Sequence, residues 1–261
     1  MQPETHGWHP EWPVTGVGAW MSTRQGGSSR PPFNSLNLGS AVGDDPEAVL
    51  ANRQRFQSAL NAAVPVFLKQ VHGVRVVRLS GEDCLTATGL IPAFEADASV
   101  CTEPGVACVV QAADCLPVLF AAPQGRAVAA AHAGWRGLAA GVLEATLEQV
   151  CLLGECSPAE VRAWRGPCIG PRHFEVGIDV RESFTGAPDA CFRLSDRPAA
   201  PTGHWMADLP ALALWRLQVA GMAPQHVHGG TWCTAEDASK FFSFRRDGVT
   251  GRMAAAIWRL P

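Results

Sequence analysis

Between residues 98 and 131 the chain is built of short apolar runs broken by turn signals. The runs at 98–101, 106–111, 116–121 and 127–131 are continuous rather than alternating, with Glu103-Pro104-Gly105 and Pro123-Gln124-Gly125 as punctuation. Continuous apolar runs of this length predict strands covered on both faces. Two further runs, 64–68 and 74–79, flank Gln70-Val71-His72-Gly73 and read as a hairpin or a bent strand. The clearest helix spans 137–153. There Leu138, Val142, Thr146 and Val150 recur every four residues with Leu143 and Leu147 beside them, while Glu144 and Glu148 lie off the stripe. A second helix is expected at 46–60, because Pro46 suits the first helical position and Asp44 or Asp45 can cap it. Helices at 179–184 and 207–219 and strands at 161–165, 225–228 and 252–259 complete the pattern.

Helices and strands intermix without a strict βαβ rhythm. That predicts an α/β (α+β) fold with mixed sheets and argues against a TIM barrel or dinucleotide fold. Neither G-x-G-x-x-G nor G-x-x-x-x-G-K-[ST] occurs. Residues 25–45, rich in Gly, Ser, Pro and Asn, read as an ordered functional loop or an extended arm.

Composition narrows the function classes. The 261 residues are 47% hydrophobic and 17% charged, enough apolar content for a substantial core. A net charge of -3 gives no clustered basic surplus, so no nucleic-acid groove is expected. No apolar stretch reaches the ~18 residues of a membrane span. The N-terminal residues 1–13 are polar and proline-rich, unlike a secretory signal, so a cytoplasmic location is expected. The nine cysteines are odd in number and then read as free thiols or ligands. Cys101, Cys108 and Cys151 sit in apolar runs as small core hydrophobes, and Cys151 and Cys156 lack the spacing of a zinc ribbon.

Three segments place a soft donor at the end of an apolar run or in a glycine-marked turn: Lys69-Gln70-Val71-His72-Gly73, Ala113-Asp114-Cys115-Leu116-Pro117, and His132-Ala133-Gly134-Trp135-Arg136-Gly137. Two imidazoles and a thiolate would suit zinc or copper with one position open, as a catalytic metal requires. The three are far apart in sequence, so spacing alone leaves open a turn histidine and a core cysteine. Asp114, beside an apolar strand, hints at a polar pocket there. Arg136 in a first helical turn opposes the helix dipole, which an anion nearby would explain; the alternative is a solvated side chain.

A second candidate is Thr23-Arg24-Gln25-Gly26-Gly27-Ser28-Ser29-Arg30, whose glycine amides and arginines suit a phosphate cradle or, alternatively, a surface loop. A third, Phe241-Phe242-Ser243-Phe244-Arg245-Arg246-Asp247-Gly248, is either a pocket wall that stacks on a ring or a strand with one packed face.

Taken together, these segments resemble the YfiH-type, or laccase-domain, purine nucleoside phosphorylase family. The likeness also includes Ser35-Leu36-Asn37-Leu38-Gly39, Ala96-Asp97-Ala98 and Gly166-Pro167-Cys168-Ile169-Gly170, and it runs in order over nearly the whole chain. One departure is Ala112, where a threonine is expected just before Ala113-Asp114-Cys115. The resemblance implies one α/β/β/α domain over 1–261, with a zinc site on His72, Cys115 and His132. It implies phosphorolysis of adenosine, inosine and S-methyl-5'-thioadenosine, and adenosine deamination as a companion activity. Copper-dependent phenol oxidation and a role in correcting peptidoglycan precursors are also attributed to such proteins.

On this basis zinc is the expected cofactor, with copper as the other candidate. Purine nucleosides and phosphate are the expected partners of a monomer or weak homodimer, with no nucleic acid and no membrane. His72, Cys115 and His132 are the catalytic and metal candidates. Arg24, the Gly26 and Gly27 amides and Arg136 are expected to hold phosphate, and Asp114 or Glu175 to shuttle the deamination proton. The competing readings are a cysteine hydrolase, with Cys115 as nucleophile and His132 or His72 as base, a copper polyphenol oxidase, and a non-catalytic binding protein. The oxidase reading is disfavoured because multicopper sites use many histidines in repeated H-x-H pairs, a repeat this chain lacks.

Overall fold

The computed structural model describes residues 6–86, 90–92, 94–196 and 203–261. Its strands are β1 (Gly7–Trp8), β2 (Val17–Ser22), β3 (Val64–Val66), β4 (Val76–Leu79), β5 (Ala98–Cys101), β6 (Val106–Ala112), β7 (Leu116–Ala121), β8 (Val128–Ala133), β9 (Arg162–Arg165), β10 (Glu175–Val176), β11 (Phe192–Leu194), β12 (Trp205–Ala207), β13 (Val227–Gly229) and β14 (Met253–Arg259). The helices are α1 (Pro46–Ser58), α2 (Asp83–Thr86), α3 (Trp135–Ala140), α4 (Val142–Gly154), α5 (Ile178–Glu182), α6 (Leu209–Val219) and α7 (Phe244–Asp247).

The strands form a five-stranded sheet, β1-β2-β14-β6-β3, a six-stranded sheet, β13-β9-β7-β8-β5-β4, and a small third sheet, β10-β12-β11. The two larger sheets are mixed: β3 joins β6 and β4 joins β5 in parallel, while β14, β7 and β8 pair with their neighbours antiparallel. Side-chain alternation assigns the layers. Along β14, Met253, Ala255 and Ile257 enter one core with Leu119, Val128 and Ala130 of the opposite sheet. Ala254, Ala256 and Trp258 point the other way and meet Phe56 and Leu60, at and just beyond the end of α1. On the far face of the six-stranded sheet, Val118, Phe120, Ala129 and Ala131 pack with Leu143 and Leu147 of α4 and Leu212 and Leu217 of α6. The result is the expected α/β/β/α layering, and the sheets are buried on both faces as the apolar runs required.

The structure revises two expectations. The runs at 64–68 and 74–79 are not a hairpin, because β3 and β4 belong to different sheets; the chain between them crosses from one sheet to the other and carries His72 at the crossing. The helix expected at 137–153 is two helices. Gly141 has φ 104, a left-handed conformation strained for other residues, and there it closes α3 and opens α4. At α1 the cap is Asp45, whose side chain accepts the Glu47 N–H at 3.0 Å.

Candidate metal centre

Strand parity brings two of the donors together. In β8, Val128 and Ala130 face the space between the two large sheets, and the period of two puts His132 on that side at the strand's end. Pro117 of β7 pairs with His132, and Leu116 with Ala133. Cys115, one step before Leu116, therefore arrives at the same mouth of the inter-sheet layer. The sheet-crossing segment supplies His72. The donor atoms of His72, Cys115 and His132 all lie within 4.8 Å of one another. Cys115 Sγ is 3.7 Å from His72 Nε2.

A buried carboxylate holds this arrangement. Asp97 is fully buried at the start of β5. Its Oδ1 accepts the His72 N–H at 2.8 Å, and its Oδ2 accepts the N–H groups of Gly73 at 2.7 Å and Val71 at 3.1 Å. Oδ1 also lies 2.9 Å from His132 Nδ1. A buried charge is tolerable only with such partners. With Nδ1 donating to Asp97, the other nitrogen of a neutral His132 would offer its lone pair to a metal ion. The same contacts clamp His72 at φ 63, an uncommon backbone for a histidine. Burial alone would raise the Asp97 pKa, but hydrogen bonds from His132 and the Gly73 and Val71 amides outweigh it and hold the carboxyl below its ordinary range.

In the metal-free cluster the electrostatics already favour a thiolate. Burial pushes the Cys115 thiol up, yet the His132 charge and hydrogen bonds from both histidines pull it down overall. Burial pushes His132 down, and the Cys115 thiolate and Asp97 reverse that. Gly134 leaves the room. A Cβ there would stand 2.7 Å from His72 Cδ2 and 2.9 Å from Cys115 Sγ. Asp114, at φ 95, aims the cysteine strand. Its carboxylate accepts Thr234 Oγ1–H at 2.6 Å and the Arg245 N–H at 2.6 Å, so both oxygens already tie down the cleft wall. Glu175, the other proton-shuttle candidate, lies 3.1 Å from His204 Nδ1 and is not among the cleft-lining residues.

The three donors open onto a cleft of about 570 Å³, whose walls include Ile169, Phe174, Phe244, Arg245 and Arg252. Arg245 and Arg252 are the cleft's guanidinium groups. Each bonds backbone carbonyls through Nη1, Arg245 to Glu175 at 2.8 Å and Arg252 to Thr250 at 2.9 Å. Among the described residues no hydrogen bond engages their Nε or Nη2 atoms. Ala112 also lines the cleft. Its neighbour Gln111 exchanges backbone hydrogen bonds with the Gln70 side chain at 2.7 and 2.9 Å, which fixes the crossing segment to β6.

The other expected site residues do not come to this cleft. Arg24 bonds Asn34 O at 3.0 Å and Ala238 O at 3.1 Å and stacks 4.6 Å from the Phe242 ring. The Gly27 N–H donates to Ser35 Oγ at 3.0 Å, and Gly26 and Gly27 pack so closely on His6 and Ser35 that no Cβ would fit. Arg136 is exposed and lies 4.3 Å over the Trp135 ring, so an aromatic face rather than an anion accounts for its position. The 241–248 segment divides by residue: Phe241 and Phe242 are core, while Phe244 is 60% exposed and lines the cleft. The sequence reading gave Asp97 and Arg252 no role. A lone carboxylate between Ala96 and Ala98 at an apolar run was the available signal for the first; nothing local marks the second.

The donor chemistry fits a thiophilic divalent ion: two nitrogens, one sulfur, a second hydrogen bond orienting His132, and an open side toward the cleft. The chain's one H-x-H pair, His226 and His228, belongs to no cluster of metal donors among the described residues, and His226 Nδ1 lies 2.8 Å from Ala159 O. Among the described residues no helix is long and apolar enough to cross a membrane.

Comparison with known proteins gives a consistent picture. Purine nucleoside phosphorylase PA4543 of Pseudomonas aeruginosa is 48% identical over 250 residues, covering 95% of this chain and 96% of its own length. Purine nucleoside phosphorylase YfiH of Escherichia coli is 47% identical over 251 residues, covering 95% and 97%. The crystal structure of YlmD from Geobacillus stearothermophilus superposes with a TM-score of 0.90 at 32% identity, covering 100% of this chain and 98% of that one. The model of one family, described as multi-copper polyphenol oxidoreductase laccase, matches residues 18–260. The chain belongs to that family, and its close relatives carry the name purine nucleoside phosphorylase.

Proposed function

We propose that this chain, acting as one domain over 1–261, is a zinc-dependent purine nucleoside phosphorylase. It would convert adenosine, inosine and S-methyl-5'-thioadenosine to free base and the corresponding ribose 1-phosphate, and deaminate adenosine to inosine. The observation that carries this is the convergence of His72, Cys115 and His132 at the floor of a cleft large enough for a nucleoside. Those three residues would hold the zinc, which when bound supplies a Lewis-acid charge facing the open side.

The remaining work belongs to the walls. Phe174 and Phe244 offer apolar faces for the purine ring. Arg245 and Arg252 are better placed to hold phosphate than Arg24, Gly26, Gly27 and Arg136, because they line the cleft with guanidinium N–H groups to spare. Asp97 keeps His72 and His132 oriented. Copper is the alternative ion, since a nitrogen and sulfur donor set binds it at least as strongly.

Incubation with inosine, with and without inorganic phosphate, tests the reading by hypoxanthine release. Phosphate-dependent release is expected; equal release without phosphate would mean hydrolysis. Ammonia liberated from adenosine tests the deaminase half separately.

A second reading rests on Cys115 Sγ standing 3.7 Å from His72 Nε2, a thiol beside a base. It is a cysteine hydrolase acting on an amide such as that of a peptidoglycan precursor. The two compete for one sulfur. A thioester trapped on Cys115 in zinc-free, active protein would favour the hydrolase. Oxygen uptake with a phenol and copper tests the polyphenol oxidase that the family description suggests.

A further inference from the structure

A second set of metal donors lies outside the cleft floor. His173, Cys233 and Glu236 bring an imidazole nitrogen, a sulfur and a carboxylate oxygen within 4.8 Å of one another. They come from two turns that the fold holds in register. Cys168 and Cys233 form an isolated parallel bridge, with the Thr234 N–H donating to Cys168 O at 2.9 Å. Cys233 and Glu236 are three residues apart on one turn, so their side chains meet on one side of it. The opposing turn carries His173, whose N–H donates to Gly170 O at 3.0 Å.

We propose that His173, Cys233 and Glu236 form a second site for a thiophilic divalent cation, of the zinc class, that clips the 170–174 turn to the 233–236 turn. Zinc with about 2.3 Å bonds to sulfur and about 2.0 Å bonds to nitrogen and oxygen brings its donors roughly 3–4 Å apart. His173 Nε2 already stands 3.3 Å from Glu236 Oε1. The Gly170 N–H donates to Cys233 Sγ at 3.1 Å, the kind of outer hydrogen bond that fixes a ligand sulfur.

Arg172 is the competitor, gripping both Glu236 oxygens at 2.8 Å. It does not close the site. Each carboxylate oxygen keeps another lone pair, and Arg172 is 76% exposed, where solvent screening leaves such a pair weak. A bound dication would also be partly neutralised by the thiolate and carboxylate while Arg172 remains alongside. His173 adjoins Phe174, and Cys233 adjoins Thr234, which bonds Asp114. The clip would therefore join the two segments behind the cleft wall, giving the ion a structural rather than catalytic place.

The test is cobalt(II) titration of the full chain, read by thiolate-to-cobalt charge-transfer absorption, with zinc-induced change in Tm as the companion. The Cys115→Ser variant removes the first site's sulfur. Its cobalt band should persist, and zinc should raise its Tm. Both responses should vanish in Cys115→Ser/Cys233→Ser, and Cys115→Ser/His173→Ala should bind at least tenfold more weakly. Glu236→Gln in the Cys115→Ser background gives the same reading with little change of shape. Circular dichroism shows that each variant is folded. Absence of the cobalt band in folded Cys115→Ser, or its survival in Cys115→Ser/Cys233→Ser, would overturn the proposal. Neither outcome bears on nucleoside cleavage, so this site stands or falls apart from the phosphorylase reading.

Discussion

Two glycine-marked, polar segments look alike in the sequence and behave oppositely in the fold. One is the 71–73 turn with His72; the other is the 24–30 loop. Both are locked by a single buried side chain. Asp97 accepts three backbone N–H groups from 71–73. Asn52 accepts the Ser28 N–H at 2.7 Å and donates to Ser29 Oγ, Ser35 O and Asn37 O. The difference lies in what is left over. Around Asp97 the backbone groups are satisfied while the His72, Cys115 and His132 donor atoms point to a common centre. In the 24–30 loop Arg24 and the Gly27 amide are consumed within the loop and its neighbours. A polar turn becomes a site when its internal hydrogen bonds are complete without the side chains that do the chemistry.

The largest expected effect tests the claim that those donors act as one. His72→Ala, Cys115→Ala and His132→Ala should each lower phosphate-dependent hypoxanthine release by at least about 100-fold, together with loss of tightly bound metal. Chelation of the wild type should give the same loss, restored by zinc. A single ligand variant with near-normal turnover would break the comparison at its centre.

The two locking residues separate next. Asp97→Asn leaves N–H donors of 71–73 facing an amide group, and should cost about 3 kcal/mol of stability in the metal-free protein and weaken zinc binding about 10–100-fold. Its pH dependence has a defined sign. The Asp97 carboxyl is held below its ordinary range, so its contribution is complete above the unfolded value of about 4 and fades as pH falls through the lower folded value. The stability gap between wild type and Asp97→Asn, read by urea denaturation, should therefore close at acid pH. Asn52→Ala should cost about 2 kcal/mol yet leave zinc affinity unchanged. Equal effects of both variants on zinc binding would erase the distinction.

What the sequence could reveal follows the range of each interaction. The layered α/β/β/α fold was legible because it rests on local periodicity: continuous apolar runs became β5, β7 and β8, and the four-residue stripe became α4. The three soft donors were legible as candidates because each ends such a run. Their convergence was not, since it depends on β3 and β4 joining different sheets and on pairing of Pro117 with His132. The role of Asp97 is not legible in its own segment because its partners lie 24 to 35 positions away in the chain. Arg24 and the Gly26-Gly27 pair suggested an anion cradle because glycine freedom and close packing leave the same mark; only coordinates tell that these glycines make room for His6 and Ser35.

Gly134→Ala probes the same distinction at a subtler scale. The new methyl would press on His72 Cδ2 and Cys115 Sγ at 2.7 and 2.9 Å, overpacking that costs about 1–3 kcal/mol. Because the clash falls on the donors, zinc affinity should drop about tenfold or more in competition with a chelator.

The smallest effect is the most discriminating for substrate. Arg252 lines the cleft and Arg24 does not. If Arg252 grips phosphate, Arg252→Ala should raise the phosphate KM about tenfold or more, the scale of one charge-assisted hydrogen bond of about 1.5–3 kcal/mol. Arg24→Ala should change it less than about threefold, although it loses the contacts to Asn34, Ala238 and Phe242 and lowers Tm slightly. Both can be measured on one inosine assay at varied phosphate. The ratio of the two KM shifts separates a guanidinium that meets substrate from one that closes a loop. A larger shift for Arg24→Ala would return the phosphate to the 24–30 loop.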